Sequence, residues 1–163
     1  MLTFDTSKLE ASLDKAKVEI NRKLGGMVQK FSYAISISAI RNTPIGDSEA
    51  YALKYAQRFA KLGLEPIEGF ARGSWRVNMN SPDTMLHEIY GADSGGVAEQ
   101  IISIHLEEYK LGDSIYISNV GPYIEKLENN HSLQTRDMGI ANPTFESILG
   151  LYQFQLEDYY ARS

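Results

Sequence analysis

The stretch SKLEASLDKAKVEINRKLGGMVQKFSYAISISAIRNTP, residues 7–44, decides the architecture of this chain. Its first four residues have the S-x-x-E form of a capping box, which satisfies the first free amides of a helix. Apolar residues then recur at steps of three and four, a spacing that predicts one continuous helical face. These residues are Leu9, Leu13, Ala16, Ile20, Leu24, Met27, Phe31 and Ile35.

Three further features shape this predicted helix. The apolar face widens at Ala34, Ile37 and Ile40, so we expect the second half to be the more deeply buried. Thr43-Pro44 should end the helix, because the residue before a proline avoids helical backbone angles. Gly25-Gly26 lies in the middle, where each glycine costs roughly 1 kcal/mol relative to alanine. We expect a kink or break there, the alternative being close approach of another helix or subunit.

The remaining pattern predicts helices around a small antiparallel sheet. Residues 74–80 alternate as a half-buried strand, with Trp75, Val77 and Met79 on one face, and residues 114–119 form a second predicted strand. Residues 97–110 carry Val97, Ile101 and Ile104 at helical spacing, although part of this segment also fits a strand. Helical spacing returns after Pro143. The predicted fold class is α+β, a single domain over residues 1–163.

A second helix is predicted from Asp47 or Ser48 to Leu62-Gly63, since glycine commonly ends helices. Tyr51, Tyr55 and Phe59 lie four residues apart on one side of it. Such an aromatic stripe belongs more often to a core than to a ligand site, and a subunit contact is the other possibility.

Composition excludes several classes of function. The 163 residues carry a formal net charge of −5 with no long run of one sign, which argues against gripping nucleic acid by neutralising phosphates. The absence of cysteine excludes disulfides, a thiol nucleophile and cysteine-ligated metals. We see no signal peptide and no apolar run of the ~20 residues that a membrane crossing needs, so we expect a cytoplasmic protein and no membrane partner.

Candidate chemistry is sparse. Glu125, Glu128 and His131 follow a Gly-Pro turn, and paired carboxylates can perform acid–base catalysis. A small hydrolase using these three residues is therefore one hypothesis. Arg72 and Arg76 flank Trp75, where the alternatives are a surface ion pair and a contact to a partner protein. No phosphate-binding, metal-binding or nucleophile motif is present, so we expect no cofactor and no metal.

Several segments together resemble the tail-completion (neck) proteins of tailed bacteriophages. The resemblance rests on Asn42-Thr43-Pro44 followed by Ala71-Arg72-Gly73-Ser74-Trp75, and on residues 112–119 followed by Pro122-Tyr123 and Leu127-Glu128. Ser132 and Gln134 fall on the family's serine and glutamine, whereas residues 135–139 depart from its usual sequence. Residues 47–69 look like a helical insertion. The resemblance spans most of residues 9–158.

The resemblance implies a structural virion protein that joins tail to head and has no catalytic activity. Such proteins resemble tail terminators, with a long N-terminal and a C-terminal helix packed on a small twisted antiparallel sheet. The implied assembly is a ring, typically a hexamer, around the channel through which double-stranded DNA passes without sequence-specific binding. The implied partners are a head-connector or head-completion protein and the tail tube protein, in a virion neck assembled in the host cytoplasm. A host-encoded homologue in a phage-derived particle is a further alternative.

Sheet edges and a set of side chains then become candidates for the assembly interface. These side chains are Arg72, Trp75, Arg76, Pro122, Tyr123, Glu125, Glu128, His131, Tyr51, Tyr55 and Phe59.

Overall fold

The structure is a computed structural model. It describes residues 7–45, 57, 60, 61, 63, 69–87, 94–121, 124–129, 139–141, 143, 144, 146 and 148–150.

The described part is a mixed α and β fold dominated by one long helix. In chain order its elements are α1 (Ser7–Asn42), α2 (Phe70–Gly73), β1 (Trp75–Met79), α3 (Ser94–Glu107), β2 (Ile115–Asn119) and α4 (Ile124–Glu128). This confirms the predicted α+β class, the long N-terminal helix and the small antiparallel sheet. Of the expected C-terminal helix, the described positions 141, 143, 144, 146 and 148–150 have helical backbone.

Helix α1 runs without interruption for 36 residues. The predicted break at Gly25-Gly26 is wrong, because both residues have helical backbone within the single helix. A Cβ atom added at either glycine would meet nothing within 4 Å, so no described neighbour approaches the helix there. The helix ends at Asn42, as the Thr-Pro pair predicts.

The sheet consists of β1 and β2, paired antiparallel with Val77 opposite Ile117. Both strands lie where the alternating pattern predicts them. The prediction of a half-buried strand is wrong for β1, because Arg76, on the face expected to be polar and open, is buried together with Val77. Asn80, with a φ of 64°, closes the end of β1 by donating its amide to the Ser114 carbonyl at 2.7 Å.

The second half of α1, the sheet and α3 enclose one core. Ile37 and Ile40 of α1 meet Val77 of β1 and the inner face of α3. That inner face is formed by Ala98, Ile102 and Leu106, at steps of four residues. The helix predicted over 97–110 is therefore confirmed as α3, and the strand that part of this segment also fitted is wrong.

A smaller cluster joins α2 to the chain after β2. Phe70 and Ala71 pack against Leu127 and Ile140. The predicted insertion 47–69 is described only in part: positions 57, 60 and 61 are helical. Gly63 has a φ of 68° and donates its amide to the Ala60 carbonyl at 3.1 Å, which is the helix end expected from the sequence.

Candidate assembly interface

The first half of α1 exposes an apolar stripe to solvent. Every residue from Ser7 to Leu24 is exposed, including the apolar positions that define the predicted helical face. Ile20 is 63% exposed. The side-chain amide of Gln29 joins α1 to α3 by donating to the Leu106 carbonyl at 2.8 Å. The apolar stripe of α1 therefore extends past the core, which only the second half of the helix helps to form.

This exposed half is basic, in contrast with the rest of the chain. Residues 7–24 carry five basic and three acidic side chains, a formal charge of +2. The other residues carry eleven basic and eighteen acidic side chains, a formal charge of −7. Unlike charges on separate surfaces of one chain favour contact between copies.

One ion-pair cluster supports this half of the helix. The Arg22 guanidinium donates to the Glu19 carboxylate through Nη2 at 2.8 Å and through Nε at 3.0 Å. Lys23 Nζ lies 3.5 Å from the same carboxylate. The hydrogen bond from Arg22, above all, lowers the pKa of Glu19 to about 2. Pairs at these spacings contribute only a few tenths of a kcal/mol on an exposed helix.

The Thr-Pro and Arg-Gly-x-Trp segments, far apart in sequence, meet at the C-terminal end of α1. The Thr43 hydroxyl donates to the Ala39 carbonyl at 2.7 Å and accepts the Trp75 indole N–H at 2.8 Å. Arg72 donates from Nε to the Thr43 carbonyl at 2.9 Å. A guanidinium at this position also complements the partial negative charge of a helix C-terminus.

These contacts overturn one alternative for Arg76, whereas contact of either arginine with a partner protein stays a prediction. The surface ion pair is wrong for Arg76, because its side chain is buried and Nη1 donates to the Gly73 and Trp75 carbonyls, both at 2.7 Å. Burial lowers the pKa of Arg76, and the charge of Asp83 opposes that shift. Arg72, for its part, bonds backbone carbonyls at the end of α1. Both arginines thus hold the protomer together.

An aspartate and a histidine that no sequence motif singled out lie beside Arg76. His87 Nε2 is 2.6 Å from Asp83 Oδ2, and the Met85 amide donates to Asp83 at 2.9 Å. Burial raises the pKa of Asp83, but these hydrogen bonds outweigh it and the net shift is downward. The D-x-x-x-H spacing in the sequence was the available signal. The pair orders the segment after β1.

Asn119 builds the turn of the predicted N-x-x-P-Y signature. Its side-chain amide donates to the Ala71 carbonyl at 2.7 Å, and its side-chain oxygen accepts the Gly121 amide at 2.8 Å. A Cβ atom at Gly121 would lie 2.9 Å from that oxygen, so the close turn favours glycine. The Ile124 amide then donates to the Gly121 carbonyl at 3.0 Å, which starts α4. The turn is thereby fixed to α2.

The two glutamates of the hydrolase hypothesis have different surroundings. Glu125 is exposed, whereas Glu128 is half-buried and its carboxylate accepts the Ile140 amide at 2.8 Å and the Ala141 amide at 3.1 Å. The Ala141 amide belongs to the first described helical position after the turn at 139–140, so Glu128 accepts N–H groups where helical backbone begins. His131 lies outside the described residues, and the convergence of the three side chains stays a prediction.

The described histidines and acids form no metal site. His105 Nδ1 lies 2.7 Å from the Val77 carbonyl and binds α3 to β1, while His87 contacts Asp83. Among the residues that the structure describes, no group of three or more His, Asp and Glu side chains could hold a metal ion. No described helix combines the length and apolar character that a membrane crossing requires.

A mostly apolar cavity of about 380 Å³ lies between α1, the sheet and helical positions 141 and 144. Its described lining carries no charged side chain, and the Thr144 hydroxyl already donates to the Ile140 carbonyl and accepts from Asn42. Ligand sites normally combine apolar walls with a few polar groups that fix orientation. This cavity does not supply such a set. Its lining residues are Phe31, Ser32, Ile35, Ala39, Trp75, Ile115, Ile117, Ala141 and Thr144.

The sequence-predicted interface residues divide into two groups. Arg72, Trp75 and Arg76 come together at the end of α1, and Glu125 and Glu128 lie on α4. Six others lie outside the described residues: Pro122, Tyr123, His131, Tyr51, Tyr55 and Phe59. The exposed apolar surface that the sequence-based predictions omitted is the first half of α1, although its apolar periodicity was the clearest signal in the sequence.

Comparison of the chain with family models, curated proteins and solved structures gave no match.

Proposed function

We propose that this chain is a structural virion protein of the tail-completion type, which joins a phage tail to its head by forming a ring around the DNA channel. The proposal includes a tail-terminator-like arrangement of the protomer. It requires no catalytic activity, no cofactor and no metal.

The observation that carries the proposal is the exposed apolar stripe on the first half of α1. An isolated helix of this length is marginally stable in water, and most helical stability in proteins comes from packing an apolar face. Exposed apolar surface that recurs along a whole helix face marks a protein–protein contact. The first half of α1 therefore needs a neighbour, and assembly of copies supplies one.

The segments that resemble the neck family also support the proposal by their positions. The Thr-Pro and Arg-Gly-x-Trp residues hold the end of α1 against β1, through Thr43 and Trp75. The turn that begins at Asn119 is bound to the same region through Ala71. The shared residues therefore act as a structural frame, which is the role expected of signature residues in an assembly protein without chemistry.

Charge supports the relation to DNA that the proposal includes. A net charge of −5 offers no general attraction to phosphates, and tight binding would retard DNA leaving through a channel. Double-stranded DNA would pass without base-specific contacts. The protein partners proposed for the two faces of the ring are a head-connector or head-completion protein and the tail tube protein.

Native mass spectrometry of the purified chain, alone and mixed with candidate tail and connector proteins, tests the proposal. We expect one oligomer of fixed stoichiometry, a hexamer being the first candidate, that persists when a chelator is added. A chain that stays monomeric at high concentration, both alone and with those partners, would overturn the proposal.

A further inference from the structure

The outer face of α3 is a second exposed apolar surface. Its inner face is buried in the core, but Val97 and Ile104 point away from that core, and Ile104 is 59% exposed. Residues spaced by seven, as these two are, stay on nearly the same side of a helix. Leu111, just beyond the end of α3, is exposed too. Glu107 and Glu108, both exposed, adjoin this strip.

The apolar stripe on the first half of α1 is flanked by lysines, whereas the strip on α3 is flanked by glutamates. At 3.6 residues per turn, Lys17 and Lys23 fall on either side of the line through Leu13, Ile20 and Met27. Both lysines are exposed. An apolar strip with lysines beside it thus exists on α1, and an apolar strip with glutamates beside it exists on α3.

Helix α1 cannot place its own first half on the outer face of α3. The second half of the same α1 already packs on the inner face of α3, and α1 continues as one helix past Gln29, beyond the contact with Leu106. At about 1.5 Å per residue, residues 7–28 extend roughly 33 Å further. The surface that α3 presents outward is therefore open to another molecule.

We infer that the first half of α1 in one copy lies on the outer face of α3 in the next copy, apolar strip against apolar strip. Lys17 and Lys23 then face Glu107 and Glu108 of the neighbouring molecule. The two surfaces are different, so the contact is head-to-tail, and repetition of a head-to-tail contact closes a ring when its rotation divides a full turn. The inference rests on the proposed ring and names the surfaces that form it.

Three aspartate variants test the two surfaces separately. Ile20→Asp places a charge in the α1 strip, and Ile104→Asp places one in the α3 strip. Val18→Asp is the matched control, because Val18 is 68% exposed on the same half of α1, two residues from Ile20 and so on the opposite side. In native mass spectrometry, we expect Ile20→Asp and Ile104→Asp to lose the native oligomer and Val18→Asp to retain it. Circular dichroism of all three should match the native protomer.

Mixing the two disrupted variants distinguishes a head-to-tail contact from a symmetric one. An Ile20→Asp copy keeps an intact α3 strip, and an Ile104→Asp copy keeps an intact α1 strip. We therefore expect the mixture to form a one-to-one pair of about twice the 18.3 kDa chain mass, with no larger species. A mixture that stays monomeric, or that forms larger rings, would contradict the inference.

The remaining outcomes separate the inference from the proposed function. A native oligomer that survives Ile104→Asp but not Ile20→Asp would indicate contact between two α1 helices, which overturns the inference and leaves the ring proposal standing. A native oligomer that survives both changes overturns the inference in the same way. A native chain that never assembles, even with tail and connector proteins, overturns both.

A charge exchange provides an independent measurement. Lys17→Glu with Lys23→Glu should weaken assembly, and Glu107→Lys with Glu108→Lys in a second preparation should weaken it as well. When the two preparations are mixed, each copy meets a complementary surface on both of its sides, since the reversed contact and the native contact both pair lysines with glutamates. We therefore expect a larger mixed oligomer in which the two variants alternate. Equal weakness of the mixture and of its components would contradict the pairing of these charges.

Discussion

Ile20 and Ile40 lie on the same helix, in the same kind of apolar pattern, and have opposite surroundings. Ile40 is 4% exposed and packs against the sheet and α3, whereas Ile20 is 63% exposed. One periodicity therefore serves two purposes along α1. In the second half it forms the core of the protomer, and in the first half it leaves an apolar surface exposed, which we propose contacts a neighbour. The lesson is that an amphipathic pattern indicates burial without saying in which molecule the burial occurs.

The largest expected difference in the free energy of unfolding is between isoleucine-to-alanine substitutions in the two halves of α1. Ile40→Ala should lower the free energy of unfolding by about 2–5 kcal/mol, because it leaves a cavity in the core. Ile20→Ala should change it by less than about 0.5 kcal/mol, since an exposed side chain has little to lose. Urea denaturation at concentrations where the chain is monomeric measures both. Equal losses would mean that the first half of α1 packs within its own protomer.

The next largest change in stability concerns side-chain hydroxyls that donate a hydrogen bond to the backbone carbonyl of the residue four positions earlier. Thr43 makes this bond to Ala39 and also accepts the indole N–H of Trp75, whereas Ser12 bonds only the Lys8 carbonyl at 2.8 Å. Thr43→Val should cost about 1–3 kcal/mol because it leaves the indole N–H without its acceptor.

Ser12→Ala is the matched control for that change and should stay within about 0.5 kcal/mol. Thermal unfolding followed by tryptophan fluorescence measures both variants, and the single Trp75 reports directly on the junction. A Thr43→Val protein as stable as the Ser12→Ala protein would show that the junction does not hold the end of α1.

Substitutions at Gly25 and Gly26, between the two halves of α1, should have a smaller effect and should stabilise the helix. Gly25→Ala with Gly26→Ala should raise helix stability by roughly 1 kcal/mol per residue, because an added Cβ meets no described atom. Hydrogen exchange of amides in residues 7–24 should slow. If the double variant instead fails to assemble, the glycines serve the close approach of a subunit, the alternative that the sequence left open.

The smallest effect depends on pH and is confined to the first half. Glu19 has a pKa of about 2 in the helix against an ordinary value of 4.5, so its ionised form favours the helix. That contribution is complete above about pH 4.5 and is lost as the pH falls through about 2. We expect helicity of residues 7–24 to decrease over this interval, measured by circular dichroism. Glu19→Gln should remove this part of the pH dependence.

Much of the fold followed from the sequence where the signal was local. The bounds of α1 followed from a stepwise apolar pattern and a Thr-Pro pair, and both strands followed from alternation. The break at Gly25-Gly26 was wrong because the penalty of two glycines is small beside that of disrupting a continuous hydrogen-bonded helix. For α3, the helical spacing of Val97, Ile101 and Ile104 predicted the helix but did not show that Ala98, Ile102 and Leu106 form its core face.

The contacts that could not be predicted join residues distant in sequence. Trp75 meets Thr43 across 32 residues, and Glu128 meets the amides of Ile140 and Ala141 across 12 and 13. Periodicity contains no information about such pairs. The family resemblance brought the Thr-Pro and Arg-Gly-x-Trp segments together as a signature, and the structure gives the physical reason for their joint occurrence. The contact between Asp83 and His87 could have been predicted from the sequence, because the two residues are separated by four positions.

The absence of side chains at Gly25 and Gly26 also has a mechanical consequence. The 18 residues before Gly25 form an arm of roughly 27 Å beyond that point. A change of about 10° in helix direction there would move the tip by roughly 5 Å, given this length. In the proposed ring, copies joined through such arms change their spacing by several ångströms while each core stays unchanged. We therefore propose that one protomer fits partner rings of different diameter.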